Sequence, residues 1–260
     1  MSEDSWTHLK AFTAARIAIG RSGASIPTRE RLDFQLSHAR ARDAVLTPFL
    51  PEELAEELKE LHPSPLVIES RAHDRSTYLR RPDLGRRLSD RSREALEEIS
   101  PQGPWDLVIL VSDGLSTTAA MKQARPLLEH LLPMLTTAGW SVAPLLITRH
   151  ARVAAQDEAG ALLNATISLI LLGERPGLGS PDSLGAYFTF RPVPGRTDAE
   201  RNCVSNIRPE GLDLPAAAHK LFTLISRSRE LQLSGVDLKD LSEHLPAPVP
   251  ALGEANDSLG

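Results

Sequence analysis

The sequence predicts an α/β protein built on a mostly parallel β-sheet, and three observations lead to this prediction. The 260 residues are 41% apolar with a net charge of −5, a composition typical of a globular chain and not of a disordered one. From residue 105 onward, short continuous apolar runs alternate with helical stretches. Such runs are what strands covered by helices on both faces require. The first hundred residues instead show mainly helical patterns.

The N-terminal hundred residues are predicted to form a small helical bundle. Apolar positions at helical spacing predict a first helix over 6–19, which GRSG ends. A second amphipathic helix is predicted over 28–46. A third begins at Pro51, where the missing N–H of proline costs nothing. A short strand is expected at 65–72, and a further helix in the segment LSDRSREALEEI.

The sequence changes character at PQGPW, residues 101–105. The strands predicted beyond this point are 105–111, 140–148, 166–173 and 184–190, and the helices are about 115–138, 155–164 and 214–234. Pro126 and Pro133 are expected to kink or divide the first of these helices. The fold class is therefore an N-terminal helical domain over 1–100 followed by a Rossmann-like, mostly parallel sheet domain over 101–240, with a mobile tail over 241–260.

Composition also limits where the protein works. The longest purely apolar runs are far shorter than the roughly 20 residues of a membrane span, and the start MSEDSWTHLK lacks the pattern of a secretory signal. The single cysteine, Cys203, cannot form an internal disulfide, which agrees with a reducing compartment. We expect a cytoplasmic protein.

Arginines are concentrated in residues 71–93, where eight of them stand against three aspartates. A solvated or intersubunit face with local ion pairs is the simpler interpretation of this segment. A groove for phosphate or nucleic acid is the alternative, although the negative net charge argues against a dedicated nucleic-acid binder.

Ligands of open α/β sheets bind beyond the carboxyl ends of the strands. That rule selects the segments SDGLS at 112–116, RHARV at 149–153 and GERPGLGSPDSLG at 173–185, which should share one rim. The first is suited to a tight turn at a helix N-terminus, either for a ligand or simply as a helix cap. The third, rich in glycine and proline directly after a buried strand, favours a ligand surface over a structural connection.

Standard catalytic signatures are missing from the sequence: it contains no G-x-S-x-G, no phosphate-binding P-loop and no H-E-x-x-H. His150 is the only histidine near the expected rim, and a hydrogen-bonded structural role suits it better than a ligand role. Cys203 has no base nearby in sequence, so a buried or ligand-contacting cysteine is expected instead of a nucleophile. The sequence therefore indicates a binding domain. The alternative is a stand-alone α/β hydrolase or nucleotide enzyme that uses Asp113, Ser116 and His150.

Six motifs resemble one known family. They are ARIAIGRSG at 15–23, STYLRRPDLGRRL at 76–88, WDLVILVSDGLS at 105–116, GERPGLGSPDSLGAYFTF at 173–190, ERNCVSNIR at 200–208 and SGVDLKD at 234–240. In this order they resemble the small subunit (light chain) of ethanolamine ammonia-lyase, over about residues 10–240.

The resemblance implies a two-subunit enzyme that uses adenosylcobalamin to convert ethanolamine into acetaldehyde and ammonia by radical rearrangement. It implies that the large subunit binds the substrate and carries the catalytic residues, so this chain should have no catalytic residue and no metal ligand. The cofactor contacts it implies fall on Val153, Glu174 and Cys203, in a Rossmann-like cobalamin-binding domain. No nucleic acid and no membrane enter this interpretation.

Two further expectations accompany the resemblance. The sequence lacks D-x-H-x-x-G, the signature that supplies a histidine to cobalt, so the cofactor is expected to bind in its base-on form. Some members of the family carry an N-terminal extension that directs them to a bacterial microcompartment. The first predicted helix here begins close to Met1, so the cytoplasm is expected and the microcompartment is the alternative.

Overall fold

A computed structural model describes residues 6–13 and 15–239 of the chain. Within them, six strands form one sheet in the order β1-β3-β2-β4-β5-β6. The strands are β1 (Leu66–Glu69), β2 (Trp105–Ser112), β3 (Leu146–Arg149), β4 (Ala165–Gly173), β5 (Leu184–Phe190) and β6 (Asn202–Ile207). The helices are α1 (Thr28–Leu46), α2 (Pro51–Leu58), α3 (Arg75–Arg80), α4 (Pro82–Gly85), α5 (Asp90–Ile99), α6 (Thr117–Thr137), α7 (Ala155–Leu162) and α8 (Leu214–Leu231). The prediction of an α/β protein is confirmed.

The sheet is mixed. β1, β3, β2 and β4 run parallel, whereas β5 and β6 pair antiparallel at the far edge. Sequence reasoning missed β6, because only Val204 and Ile207 of its six residues are buried and its apolar pattern is correspondingly weak. β3 is also shorter than the predicted 140–148, since Val142 contributes only an isolated bridge to Leu107.

Alternate residues of the central strands pack into two cores, one on each face of the sheet. On one face Leu107, Ile109 and Val111 of β2 pack with the buried residues of α6, α8 and α2. On the other face Val108 and Leu110 pack with α7 and with Leu96 of α5. Because helices cover both faces of the sheet, nearly all residues of β2 are apolar. The burial of this strand on both faces, predicted from its apolar run, is confirmed.

Helix α6 runs from Thr117 to Thr137, so Pro126 and Pro133 do not divide it, and the predicted kink stays a prediction. Ser116 caps its N-terminus by accepting a hydrogen bond from the Ala119 N–H at 3.1 Å. Pro126 and Pro133 each remove one helical donor, but Leu127, Leu128, Leu131 and Leu132 beside them are buried in the core. Packing against the sheet and α8 thus maintains the helix.

The helix predicted over 6–19 is wrong: a short 3-10 helix spans Thr7–Phe12, and residues 15–20 are not helical. None of the residues in this short helix is buried, so no tertiary packing stabilises a longer one. Ala18 also adopts a left-handed φ of 49°, which a helix cannot contain. The predicted helix over 28–46 is confirmed as α1, and the one beginning at Pro51 as α2.

The first hundred residues do not form a bundle apart from the sheet. β1 is an edge strand of the same sheet, and α2 packs on β1, β3 and α6. This packing does not confirm a separate N-terminal bundle. The predicted boundary between a helical domain and a sheet domain at residue 100 stays a prediction. The predicted tail over 241–260 lies outside the described residues.

Candidate functional site

The three segments selected from the sequence meet at one cavity of about 430 Å³, beyond the carboxyl ends of β2 and β4. The prediction of a shared rim is confirmed, since each segment contributes lining residues. The cavity is lined by Tyr78, Gly114, Leu115, Arg152, Val153, Leu172, Gly173, Glu174, Arg175 and Tyr187. We call it the rim cavity.

Two glycines allow the backbones of the first and third segments to touch. Gly114 has a φ of +53°, and a Cβ placed there would lie 2.3 Å from the carbonyl oxygen of Gly173. A Cβ on Gly173 would lie 1.9 Å from the carbonyl oxygen of Ser116. The Leu115 N–H donates to the Gly173 carbonyl at 2.8 Å, so main chain forms this part of the cavity wall.

Beside the cavity, Arg75 and Asp113 form a buried ion pair with 2.8 Å between Nη1 and Oδ2. The Asp113 carboxylate also accepts hydrogen bonds from the Ser112 hydroxyl and from the His150 N–H. Arg75 donates further to the carbonyls of Gly114, Leu115 and Val45. This network fixes the turns that follow β2 and β3.

Tyr78, which belongs to α3, and Arg152 form one wall of the rim cavity, and the ring of His150 lies against Tyr78. The guanidinium of Arg152 lies 4.0 Å from the centre of the Tyr78 ring, a cation–π contact. Burial raises the pKa of Tyr78 to about 12, so its hydroxyl stays protonated. His150 Nδ1 lies 3.1 Å from the Ala72 carbonyl oxygen, and its ring is tilted against Tyr78. His150 is therefore held by hydrogen bonding, as its simpler interpretation from sequence predicted.

The arrangement does not form a hydrolase triad. The hydroxyl of Ser116 is fully buried, donates to the Pro181 carbonyl at 2.7 Å and caps α6. Asp113 is engaged by Arg75, and its Oδ2 lies 3.9 Å from His150 Nε2. With its hydroxyl committed to these structural bonds, Ser116 is not an available nucleophile.

Of the three residues predicted to contact the cofactor, Val153 and Glu174 line the rim cavity and Cys203 does not. Cys203 lies on β6, opposite Tyr187 of β5. Of the two roles expected for Cys203, burial is wrong, since the residue is exposed on an edge strand, and contact with a ligand stays a prediction. Glu174 is held by its Oε2, which accepts hydrogen bonds from the Ser183 hydroxyl and from the Asn206 N–H at 3.2 Å.

Cys203, Tyr187 and Glu174 are electrostatically linked. Loss of water around the sulfur raises the pKa of the Cys203 thiol even though the side chain is exposed. The Glu174 carboxylate raises this pKa further, and a hydrogen bond from Tyr187 opposes both effects. Burial also raises the pKa of Tyr187, so this hydroxyl remains a donor.

Sequence reasoning missed Arg75, Tyr78 and Tyr187 as residues of the site, whereas Arg152 lies in the selected segment RHARV. Both tyrosines of the chain line the cavity. The chain has only these two tyrosines, so both could have been examined from the sequence as candidate site residues. A tyrosine removed from water usually keeps a hydrogen-bond partner for its hydroxyl, which combines apolar surface with a polar group. Arg75 carried no such signal, because it is one arginine among eight in its segment.

In the part of the chain that the structure describes, no group of three or more histidine, cysteine, aspartate or glutamate side chains is placed to hold a metal ion. Nor does any helix there combine the length and the apolar character needed to cross a membrane. A larger cavity of about 730 Å³ lies at the opposite end of β4, lined by residues that include Ala165, Arg191 and Arg229.

The fold and the rim cavity define an α/β protein with a candidate small-molecule site at the carboxyl ends of its parallel strands. The profile of the ethanolamine ammonia-lyase light chain (EutC) family matches residues 3–239. The chain belongs to this family.

Three relatives named ethanolamine ammonia-lyase small subunit illustrate the similarity. The protein of Azotobacter vinelandii is 49% identical over 261 residues, covering 100% of this chain and 97% of its own. That of Pseudomonas fluorescens SBW25 is 50% identical, covering 92% and 87%. That of Pseudomonas aeruginosa LESB58 is 49% identical, covering 93% and 89%.

The contact between the two glycine-containing turns predicts unequal effects of alanine at two positions of the third segment. Gly173→Ala should lower the free energy of unfolding by at least about 2 kcal/mol, because its Cβ meets main chain that cannot yield. Gly179→Ala is the matched control, since a Cβ there has nothing within 4 Å; it should stay within about 1 kcal/mol of the wild type. Urea unfolding measures both, and equal effects would contradict the close approach.

The raised pKa of Cys203 predicts slow alkylation near neutral pH, because little thiolate is present there. We expect the pH of half-maximal iodoacetamide reaction to lie above that of a free thiol, with one cysteine giving an unambiguous signal. Glu174→Gln should lower this midpoint by removing a negative charge. Tyr187→Phe should raise it by removing the hydrogen bond. Glu210→Gln is the control, and shifts of Glu174→Gln and Tyr187→Phe in the same direction would contradict this assignment.

Proposed function

We propose that this chain is the small subunit of an adenosylcobalamin-dependent ethanolamine ammonia-lyase and that its rim cavity forms one side of the cofactor pocket. The observation that carries the proposal is the meeting of Val153 and Glu174 in one cavity at the strand ends of a chain that belongs to this family throughout residues 3–239. The alternative of a stand-alone hydrolase lacks a free nucleophile, because Ser116 is buried and hydrogen-bonded.

The lining of the rim cavity fits part of a corrinoid. Leu115, Val153 and Leu172 offer apolar contact suited to the face of a corrin ring, and the two tyrosines add aromatic surface. A volume of about 430 Å³ lies in the range that holds drug-sized ligands, whereas cobalamin is much larger. The chain therefore accommodates one part of the cofactor, and a second subunit must enclose the rest.

Glu174 has an acceptor available for the amide groups on the edge of the corrin ring. Its hydrogen bonds from Ser183 and Asn206 both end on Oε2, which fixes the carboxylate and leaves Oε1 to accept from a ligand N–H. Val153 lines the same cavity. Cys203, reached through Tyr187, would contact the cofactor from the neighbouring edge strand.

When bound, adenosylcobalamin supplies the radical chemistry of the lyase, and this chain contributes binding and orientation. We assign it no catalytic residue. The same proposal includes three further points. The cofactor binds in its base-on form, the protein is cytoplasmic with a microcompartment as the alternative, and residues 101–240 form a Rossmann-like cofactor domain. The resemblance to the family and the parallel strands β2, β3 and β4, which lie within these residues, support the last of these.

A partner subunit would also explain the unusual exposure of α1. Of its 19 residues only Ala44 is buried, and Leu32, Phe34, Leu36 and Leu46 are 45–60% exposed. A helix that buries so little gains little stability from its own chain. Arg75 ties the end of α1 to the rim cavity by donating to the Val45 carbonyl. We assign the exposed face of α1 to the large subunit.

The function is tested by producing this chain alone, the large subunit alone and both together. Acetaldehyde should form from ethanolamine and adenosylcobalamin only when both subunits are present. Glu174→Ala in the complex should weaken cofactor binding about tenfold, the cost of one lost hydrogen bond to a charged acceptor. Glu97→Ala, an exposed glutamate of α5, is the matched control.

Activity of this chain alone would overturn the assignment as a small subunit. If an active complex with Glu174→Ala bound the cofactor as tightly as the wild-type complex, the assignment of the rim cavity to the cofactor would be wrong. The assignment of the chain as a small subunit would be unaffected.

The role of α1 is tested by Leu32→Lys/Leu36→Lys, which places two charges on its exposed face without touching the core. We expect the variant to keep its circular dichroism spectrum and to lose copurification with a tagged large subunit. Leu231→Lys/Val236→Lys changes two comparably exposed residues elsewhere and should copurify normally. Copurification of the α1 variant at the wild-type level would remove the large subunit from this helix.

A further inference from the structure

A second cavity of about 550 Å³ lies beside the rim cavity, and five of its thirteen lining residues are arginines. Its charged lining residues are Arg86, Arg87, Arg152, Arg196 and Arg201 against Glu158 and Asp198. The remainder of the wall includes Pro82, Val153, Pro194 and Thr197. We call it the arginine cavity. Arg152 and Val153 line both cavities, so the two share a wall.

The acidic residues of this lining are already neutralised. Glu158 pairs with Arg93 at 2.5 Å and accepts from the Leu88 N–H. Asp198 pairs with Arg201 at 2.9 Å. Among residues 6–13 and 15–239, by contrast, no carboxylate lies within 4.0 Å of the guanidinium of Arg86, Arg87 or Arg152. Arg196 and Arg201 are paired with Glu200 and Asp157, so the uncompensated positive charge of the cavity lies on Arg86, Arg87 and Arg152.

The inner part of the cavity contains arginines whose hydrogen bonds are incomplete. The side chain of Arg201 is only 4% exposed and pairs with the fully buried Asp157, yet its Nε has no partner in the described part of the chain. The Nε atoms of Arg196 and Arg152 are likewise buried without a partner. A buried donor without a partner raises the free energy of the folded state. An anion in the cavity would lower this free energy by its electrostatic attraction to the guanidinium groups.

We propose that the arginine cavity is a binding site for a phosphate group. Guanidinium groups recognise phosphate through paired, charge-assisted hydrogen bonds. Arg86 and Arg87 line the cavity, are exposed and have no carboxylate partner in the described part of the chain. The phosphate has two chemical sources. One is the phosphodiester of cobalamin, which rests on the proposed function, because the shared wall would let one ligand enter both cavities. The other is a free phosphate compound.

Corrinoids that differ in the phosphate alone distinguish these sources. Cobinamide lacks the phosphate, and cobinamide phosphate carries it; both are titrated into the complex of the two subunits and followed by their visible absorption. We expect the wild-type complex to bind cobinamide phosphate roughly ten- to a hundredfold more tightly than cobinamide, the range that charged hydrogen bonds support. Arg86→Gln/Arg87→Gln should abolish that preference.

Two controls accompany this comparison. Arg80→Gln/Arg91→Gln removes the same charge from two exposed arginines of the same segment that do not line the cavity, and it should keep the preference. The full chain alone is also heated with inorganic phosphate or with sodium chloride at equal ionic strength, so that a specific anion effect is separated from screening.

Loss of the preference in Arg86→Gln/Arg87→Gln alone would support the cofactor as the source of the phosphate. A preference unaffected by that variant, together with a rise in the melting temperature with phosphate that the variant removes, would support a free phosphate compound. If the variant changed neither the preference for cobinamide phosphate nor the response of the melting temperature to phosphate, the proposal would be overturned. If the wild-type complex bound no corrinoid at all, the proposed function would fail, and the melting experiment would still test the cavity.

Discussion

The buried pair of Arg75 and Asp113 is the interaction on which the candidate site depends. Asp113 comes directly after β2, and its carboxylate is 1% exposed, so the charge is stable there only because Arg75, the Ser112 hydroxyl and the His150 N–H all bond to it. Removing one partner of such a pair costs about 3–5 kcal/mol, since the other charge is left buried alone. Through Arg75 the pair also holds the carbonyls after β2 and the end of α1.

The same pair explains why the rim cavity is formed by main chain as much as by side chains. With the turn after β2 fixed, Gly114 can lie against Gly173, and the third segment leaves β4 at a defined angle. That exit positions Glu174 so that Ser183 and Asn206 can hold its carboxylate. The buried carboxylate of Asp113 thus helps to fix the turn after β2 and, through the contact of Gly114 with Gly173, the segment after β4. Such loops are usually the more mobile parts of a fold.

Periodicity and the rule of strand ends predicted most of this arrangement from the sequence. The strands at 105–112 and 165–173 are continuous apolar runs, and a parallel sheet brings their ends together without any knowledge of side chains. The long-range partners escaped prediction. Arg75 lies 38 residues before Asp113 in the chain, and no local pattern distinguishes it from its neighbouring arginines. The edge strand β6 escaped because half of its residues face water.

The two neighbouring cavities differ in chemistry, and this difference limits what can occupy both. The rim cavity offers apolar and aromatic surface together with three charged groups, the fixed carboxylate of Glu174 and the guanidinium groups of Arg152 and Arg175. The arginine cavity offers unpaired guanidinium groups, which suit an anion. Arg152 serves both, because its guanidinium stacks on Tyr78 on one side and lines the arginine cavity on the other. A ligand that extends across Arg152 would therefore place an apolar part against Leu115 and Leu172 and an anionic group in the arginine cavity.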